Sequence, residues 1–209
     1  MAMKNNLFYI IIIFLIPITI WSAYRPKEYL LWIAEASPIW IVLLIFFIYH
    51  PRHKLTKISY LFIFIGSVMM LVGAHYSYAA VPLGEWLQDL LHLSRNPYDK
   101  IGHFFQGLIA ALFMKEIISI KKLLTSRWWI NFFSVSFAIA LSAVWEMLEW
   151  LVAILMIYFG SKRPALDFLG AQGYIWDTQS DMFMATLGAL SVVTILQKYH
   201  ERCIKREHH

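Results

Sequence analysis

Residues 130–159 read INFFSVSFAIALSAVWEMLEWLVAILMIYF, and Glu146 and Glu149 carry the only charges in this block. A helix needs ~20 apolar residues to cross the hydrocarbon core of a bilayer, which is ~30 Å thick. At ~1.5 Å per residue, this block would form a helix of about 45 Å. The stretch therefore predicts a transmembrane helix that tilts or projects from the membrane and carries two carboxylates within it.

The composition of the whole chain supports a membrane protein. Of its 209 residues, 60% are hydrophobic and 15% are charged, whereas soluble domains average about 25% charged residues. The mean hydropathy is +0.60. These values exclude a soluble globular protein and a disordered one. The net charge of +5 is explained by membrane topology, so we expect no nucleic-acid partner. The single cysteine, Cys203, excludes an intrachain disulfide.

The apolar blocks predict an all-α fold, a six-helix transmembrane bundle that forms one integral membrane domain over residues 1–209. The predicted spans are about 7–23, 30–49, 58–78, 103–118, 130–159 and 182–197. A short amphipathic helix at about 84–93 is expected to lie on the membrane surface and to end before Asn96-Pro97. The first block is interpreted as a retained span, because Trp21 is too large for the third position before a signal-peptide cleavage site.

The distribution of Lys and Arg predicts that both termini lie in the cytoplasm of a bacterial inner-membrane protein. Eleven of these residues fall on the side of the termini and six on the other side. The first group comprises Lys4, Arg52, Lys54, Lys57, Lys121, Lys122, Arg127, Lys198, Arg202, Lys205 and Arg206. The second comprises Arg25, Lys27, Arg95, Lys100, Lys162 and Arg163.

Ionisable side chains inside a bilayer are costly, at least ~2.5 kcal/mol each, and usually face the bundle interior. Acids and histidines from five predicted helices share one level in the outer leaflet: Glu35, His75, His103, Glu146, Glu149, Asp177 and Asp181. The polar residues of the fourth, fifth and sixth spans alternate with small ones, which predicts that these three spans turn their polar faces toward one another. By contrast, Lys115 and Glu116 lie near the inner end of the fourth span and are expected to snorkel toward water.

Three local patterns supply the chemistry: YDKIGHFFQ at 98–106, WEMLEW at 145–150 and WDTQSD at 176–181. Carboxylates three or four residues apart share a helix face, and with an imidazole they suit Mg²⁺, Mn²⁺ or Zn²⁺. We predict that His103, Glu149, Asp177 and Asp181 bind the metal. Glu146 is the predicted general base, and Lys100 a second catalytic group. The expected substrate contacts are Asp99, Gln106, Arg163 and Gln179.

The same patterns resemble the YjdF-like family of bacterial inner-membrane proteins. The resemblance rests on Tyr98-Asp99-Lys100-x-Gly102-His103-Phe104-x-Gln106-Gly107, Trp145-Glu146-x-x-Glu149-Trp150 and Gly170-x-Gln172-Gly173-x-x-Trp176-Asp177-Thr178-Gln179-x-Asp181-Met182. It implies an inner-membrane location and no particular activity. The shorter pattern Asp99-Lys100-x-x-His103-Phe104 is similar to VanZ-like membrane proteins. Those proteins are associated with glycopeptide resistance, which implies envelope or lipid-linked substrates.

Three functions fit these residues. The first is a metal-dependent membrane hydrolase that faces the periplasm and acts on a phosphorylated or lipid-linked envelope substrate. The second is a proton- or cation-coupled transporter, which would need a polar path toward the cytoplasm; the inner halves of the predicted spans offer little polarity. The third is a structural or accessory membrane protein, in which the buried carboxylates only specify packing.

Overall fold

The computed structural model describes residues 7–49, 54–162, 166, 168–169 and 172–208, apart from the side chains of residues 46 and 49. Within these ranges all regular structure is helical, which confirms the all-α prediction. In chain order the helices are α1 (Leu7–Ala23), α2 (Tyr29–Tyr49), α3 (Lys57–Tyr76), a 3-10 turn (Tyr78–Ala80), α4 (Pro82–Leu90), α5 (Tyr98–Ile120), α6 (Arg127–Tyr158), α7 (Asp177–Thr194) and α8 (Gln197–His208).

Three of these helices, α3, α5 and α6, are long and apolar enough to cross a membrane. A fourth crossing is obtained if α7 and α8 are taken together, although α8 bends away from α7 by 64°. The apolar parts of α1 and α2, Leu7–Ala23 and Tyr29–Ile45, are shorter. The described part of the chain therefore contains three or four candidate spans.

Several predicted boundaries are wrong. Helix α5 begins at Tyr98, so His103 lies in its second turn and does not open the helix. Helix α7 begins at Asp177 and ends at Thr194, so Asp181 also lies one turn inside. Helix α4 ends at Leu90, because His92 has a left-handed backbone with φ of 51°. In α5 and α7, polar residues that were assigned to loops belong to the first turn of the helix. Helix α4 ends at a turn that precedes Asn96-Pro97.

Helices α5, α6 and α7 form the centre of the bundle, and their polar faces turn inward as predicted. The buried residues on these faces are His103, Gly107 and Ala110 on α5; Ala138, Ser142, Glu146 and Ala153 on α6; and Asp177, Asp181, Ala185 and Gly188 on α7. Glu149, expected on the same face of α6, is half-buried.

Two glycines bring α5 and α7 into backbone contact. A Cβ atom on Gly107 would overlap the backbone carbonyl of Ala185. A Cβ atom on Gly188 would likewise overlap the carbonyl of Phe104. The two helices therefore approach each other as closely as small residues at a transmembrane interface allow.

Helices α1, α2 and α3 form a second group beside this centre. Its apolar core includes Leu15, Ile39 and Leu71. The Ser22 hydroxyl donates to the carbonyl oxygen of Leu71 at 2.6 Å and accepts from the Trp32 indole at 2.9 Å. One buried hydroxyl thus connects all three helices.

We predict that Gly107→Ala destabilises the protein by about 1–3 kcal/mol, because the new methyl group overpacks against a backbone atom that cannot move alone. The measurement is the thermal unfolding midpoint in detergent. Gly102→Ala is the matched control on the same helix, since its Cβ would meet only Tyr78 Cε1 at 3.7 Å. Equal midpoints for the two variants would contradict the close α5–α7 contact.

Candidate functional site

Five side chains from α5, α6 and α7 meet near the first turns of α5 and α7. We call them the His103 cluster: Asp99, His103, Gln106, Glu146 and Asp181. His103 Nε2 lies 3.6 Å from Asp99 Oδ1 and 3.7 Å from Glu146 Oε1. Ligand atoms of Asp99, His103 and Asp181 all lie within 4.8 Å of one another. His103, Glu146 and Asp181 are buried, with 5%, 8% and 2% of their surface exposed.

Gln106 determines which nitrogen of His103 carries the proton. His103 Nδ1 lies 3.1 Å from Gln106 Oε1. An amide oxygen only accepts hydrogen bonds, so Nδ1 is the donor and Nε2 faces the carboxylates of Asp99 and Glu146. Neutral imidazole would then direct a lone pair at carboxylate oxygens. A proton or a cation between these atoms removes the repulsion, so the geometry requires one of the two.

The donor set of the His103 cluster fits a divalent metal. One imidazole nitrogen and carboxylate oxygens suit Zn²⁺ or Mn²⁺, and a hydrogen bond on the distal nitrogen is the usual second-shell partner of a metal-binding histidine. Atoms bound to one ion at ~2.1 Å lie no more than about 4.2 Å apart. The three groups would therefore contract by up to about 0.6 Å around an ion, a shift that side-chain rotation supplies.

Two cations flank the cluster at its edge. Arg95 forms an ion pair with Asp177, and Lys100 contacts the Ser180 hydroxyl and lies 3.2 Å from Asp181 Oδ1. Both cations also approach the exposed ring of Tyr174, at 4.4 Å for Arg95 and 5.5 Å for Lys100. The positive charges of Arg95 and Lys100 therefore offset the negative charges of Asp177 and Asp181.

The remaining carboxyl groups of this region have fewer basic side chains beside them to offset their negative charge. Asp99 and Glu146 both lie against the imidazole of His103, and the half-buried Glu149 lies near the carboxylates of Asp99, Glu146 and Asp181. Glu146 Oε1 is buried and has no hydrogen-bond partner in the described part of the chain. Two acids that share one imidazole, with a third acid nearby, must hold protons or attract a cation, since unpaired buried charge is costly.

The structure distributes the predicted site residues unevenly. The structure places five of the predicted residues in the His103 cluster: Asp99, His103, Gln106, Glu146 and Asp181. Asp177 lies against Arg95, and Glu149 stands outside the group of potential ligands. Gln179 is exposed, and Arg163 lies outside the described residues.

Sequence reasoning missed Arg95 and Tyr174, because neither belongs to a motif or to a predicted span. It also grouped His75 with the outer acids. In the structure His75 stacks on Trp21 at 4.6 Å and its Nδ1 lies 3.0 Å from the carbonyl oxygen of Ser22. His75 therefore belongs to the contact between α1 and α3.

Glu35 of α2 lies on the edge of the same region. Its side chain is buried, and within the described residues its Oε2 has no hydrogen-bond partner. Burial raises the pKa of the nearby Tyr78 hydroxyl well above its usual value, and the carboxylates of Glu35 and Asp99 raise it further. Tyr78 is therefore a protonated hydrogen-bond donor at neutral pH.

A second buried polar group lies at the other end of α5. We call it the Glu116 cluster: Thr56, Ser59, Glu116 and His200. The Glu116 carboxylate accepts hydrogen bonds from the backbone N–H and hydroxyl of Thr56, from the Ser59 hydroxyl and from His200, whose Nε2 lies 3.2 Å away. The predicted snorkelling of Lys115 and Glu116 is wrong, because their exposed fractions are 1% and 0%.

The N-terminus of α3 explains why a carboxylate is stable there. Thr56 precedes the first residue of α3, and the free N–H groups and dipole of a helix N-terminus favour an anion. Thr56 and Ser59 lie 60 and 57 residues from Glu116, and His200 lies 84 residues away. No local pattern in the sequence could reveal these partners.

Lys115 pairs with α8 and α6 beside this cluster. Its Nζ lies 3.0 Å from Asn131 Oδ1 and 3.4 Å from Glu201 Oε1, and Glu201 also pairs with Arg127 at 3.0 Å. Partial burial opposes the ionisation of Glu201, but the Gln197 amide, Lys115 and Arg127 outweigh it and hold the pKa of Glu201 below its usual range. The carboxylate is therefore ionised at neutral pH and fixes α8 to the bundle.

An apolar layer separates the two clusters. His103 and Glu116 are thirteen residues apart on α5, which is about 20 Å along a helix. The layer between them is formed by Leu108, Ala110, Ala111, Leu112, Ala138, Ala189 and Val192. In the described part of the chain, the polar groups at the two ends are therefore not continuous.

We predict that Glu116→Ala destabilises the protein by about 3 kcal/mol or more, because four buried donors lose their shared acceptor. The measurement is the thermal unfolding midpoint in detergent. Glu85→Ala removes a carboxylate from the exposed face of α4 and serves as the matched control. Equal midpoints for the two variants would contradict the structural role of Glu116.

Comparison with known proteins gives two matches. A family model described as "Predicted membrane protein (DUF2238)" covers residues 7–202. "Inner membrane protein YjdF" of Escherichia coli (strain K12) is 42% identical over 189 residues, which is 90% of this chain and 88% of that protein. No solved structure matches the chain. The resemblance to YjdF-like proteins is confirmed, and the similarity to VanZ-like proteins stays a prediction.

Proposed function

The chain belongs to the DUF2238 family of predicted membrane proteins. We propose, from the geometry of the His103 cluster, that it is a metal-dependent hydrolase of the inner membrane. In this proposal the His103 cluster binds one divalent cation, Mg²⁺, Mn²⁺ or Zn²⁺, at the periplasmic side. The substrate is a phosphorylated, lipid-linked envelope molecule.

The proposal includes six crossings, with α1 and α2 as the additional spans. Their lengths of 17 and 21 residues correspond to about 26 and 32 Å, close to the ~30 Å of a hydrocarbon core. Ile13, Phe14 and Ile20 of α1 are exposed, as expected for a lipid-facing side. With six crossings both termini share a side, and the Lys and Arg distribution assigns that side to the cytoplasm.

The observation that carries the proposal is the orientation of His103. Gln106 holds Nδ1, and Nε2 faces the carboxylates of Asp99 and Glu146. This is the arrangement in which a histidine offers its free nitrogen to a metal. Burial of His103 and Asp181 in the bundle supports a bound cation over exposed, hydrated carboxylates.

The surrounding residues have roles in such a reaction. A bound divalent cation would supply a Lewis acid and promote the ionisation of water. Glu146, with its free buried oxygen, would accept the proton of the attacking water as general base. Lys100 and Arg95, at the partly exposed edge beside Tyr174, would contact the substrate phosphate. A substrate anchored in the outer leaflet would reach this edge laterally.

A second candidate is a proton-coupled carrier, which is favoured by the presence of buried His–carboxylate clusters at both ends of α5. Proton transfer between them would need a path through the apolar layer around Leu112 and Val192. Because the described residues of this layer offer no polar side chain to carry a proton, the hydrolase is the better supported of the two proposals. A protein in which both clusters are purely structural would show neither bound metal nor proton flux.

We predict that the purified protein holds about one divalent ion per chain after exchange into metal-free buffer, and that Asp181→Asn and His103→Ala lose it. Each substitution removes a ligand from a set of three. The measurement is elemental analysis of detergent-purified protein. Asp89→Asn, which neutralises an exposed acid on α4, is expected to retain the metal. A metal-free wild type that is well folded would refute the metal site, and proton flux in proteoliposomes would then test the carrier.

The hydrolase itself is tested with the metal-loaded wild type and Glu146→Gln. We expect the wild type to release phosphate from a lipid phosphate or diphosphate in mixed micelles. Loss of a general base typically costs 10²–10⁴-fold, so we expect Glu146→Gln to lose activity by about that factor while keeping its metal. Metal binding without phosphate release from any lipid phosphate would reject the enzymatic part alone.

A further inference from the structure

We propose that the exposed face of α8 binds the phosphate groups of anionic phospholipids at the membrane surface. This surface lies at the end of the bundle opposite the His103 cluster and is independent of the proposed hydrolysis. We call it the basic face of α8; it comprises Lys198, Arg202 and Lys205. These residues are four and three positions apart, so they share one side of the helix, and all three are exposed.

The three cations are not engaged elsewhere. Within residues 7–49, 54–162, 166, 168–169 and 172–208, none of them forms an ion pair with a carboxylate; Arg202 Nε donates only to the backbone oxygen of Lys198. Together with Glu201 they line a recess of about 220 Å³. Because Glu201 is already paired with Lys115 and Arg127, the recess keeps an uncompensated positive charge suited to an anion.

The opposite face of α8 fixes the helix to the bundle. His200, Cys203 and Ile204 are buried, and His200 contacts Glu116. The Glu207 carboxylate accepts a hydrogen bond from the backbone N–H of Lys57 at 3.1 Å. The basic face is therefore held in place before any ligand binds, which lowers the entropic cost of binding.

Neighbouring aromatic residues place α8 at the depth of the lipid headgroups. Arg127 pairs with Glu201 of α8 at 3.0 Å and is followed by Trp128 and Trp129, which are 62% and 47% exposed. Exposed tryptophans at the end of a transmembrane helix mark the headgroup level.

The connection from α7 indicates the same depth. Helix α8 turns by 64° from α7, as expected of a helix that leaves the bilayer to lie along its surface. Ile195 in the connection and Tyr199 in the first turn of α8 are 79% and 54% exposed. Apolar exposure next to a cationic face fits a lipid, which offers both a phosphate and an acyl chain, better than a soluble anion.

The test uses native mass spectrometry of the full chain in detergent with phosphatidylglycerol or phosphatidylcholine added. We expect the wild type to bind phosphatidylglycerol in preference. The triple variant Lys198→Gln, Arg202→Gln, Lys205→Gln should lose that preference, with affinity falling on the order of a hundredfold, since each cation near an anionic surface contributes a factor of about five. Circular dichroism confirms that the variant is folded.

The matched control neutralises three exposed cations at the other end of the bundle: Arg25→Gln, Lys27→Gln, Lys162→Gln. It changes the net charge equally and should keep the preference for phosphatidylglycerol. Equal binding of the two lipids by the wild type, or equal loss in both triple variants, would overturn the proposal. Displacement of the lipid by an equal concentration of inorganic phosphate would assign the face to a soluble anion instead.

Discussion

The close contact between α5 and α7 determines the geometry of the His103 cluster. Gly107 and Gly188 let the two backbones touch, and this contact brings the first turns of both helices side by side. Asp99 and His103 on α5 thereby face Asp181 on α7, and Lys100 reaches Ser180. A larger residue at either glycine would separate the helices and with them the ligands of the His103 cluster.

The bundle stabilises buried charge in two different ways. At the Glu116 cluster, one carboxylate is surrounded by donors from the N-terminus of α3 and from α8. At the His103 cluster, the carboxylates of Asp99 and Glu146 share one imidazole, and within the described residues Glu146 Oε1 has no hydrogen-bond partner. Both oxygens of the Glu116 carboxylate have hydrogen-bond donors, so we assign that cluster to stability. The His103 cluster is incomplete in this respect, and incomplete polar groups in a dry interior are typical of functional sites.

The sequence predicted well those features that depend on local periodicity. The inward polar faces of α5, α6 and α7, and the proximity of His103, Glu146 and Asp181, followed from residues three or four positions apart. Features set by distant partners could not be predicted in this way. Glu116 and Lys115 were expected to reach water, because Thr56, Asn131 and His200 are invisible in their neighbourhood. The pairing of Asp177 with Arg95 depends on a loop that no motif covers.

The metal site can be tested by a crystal structure of the protein grown with Mn²⁺, in which anomalous scattering locates the ion. We expect one Mn²⁺ peak bonded to His103 Nε2 and to oxygens of Asp99 and Asp181 at about 2.0–2.3 Å, with Gln106 Oε1 still hydrogen-bonded to His103 Nδ1. An ordered His103 without a metal peak, its Nε2 hydrogen-bonded to Asp99 or Glu146, would refute the metal site and identify the cluster as a proton-holding or structural group.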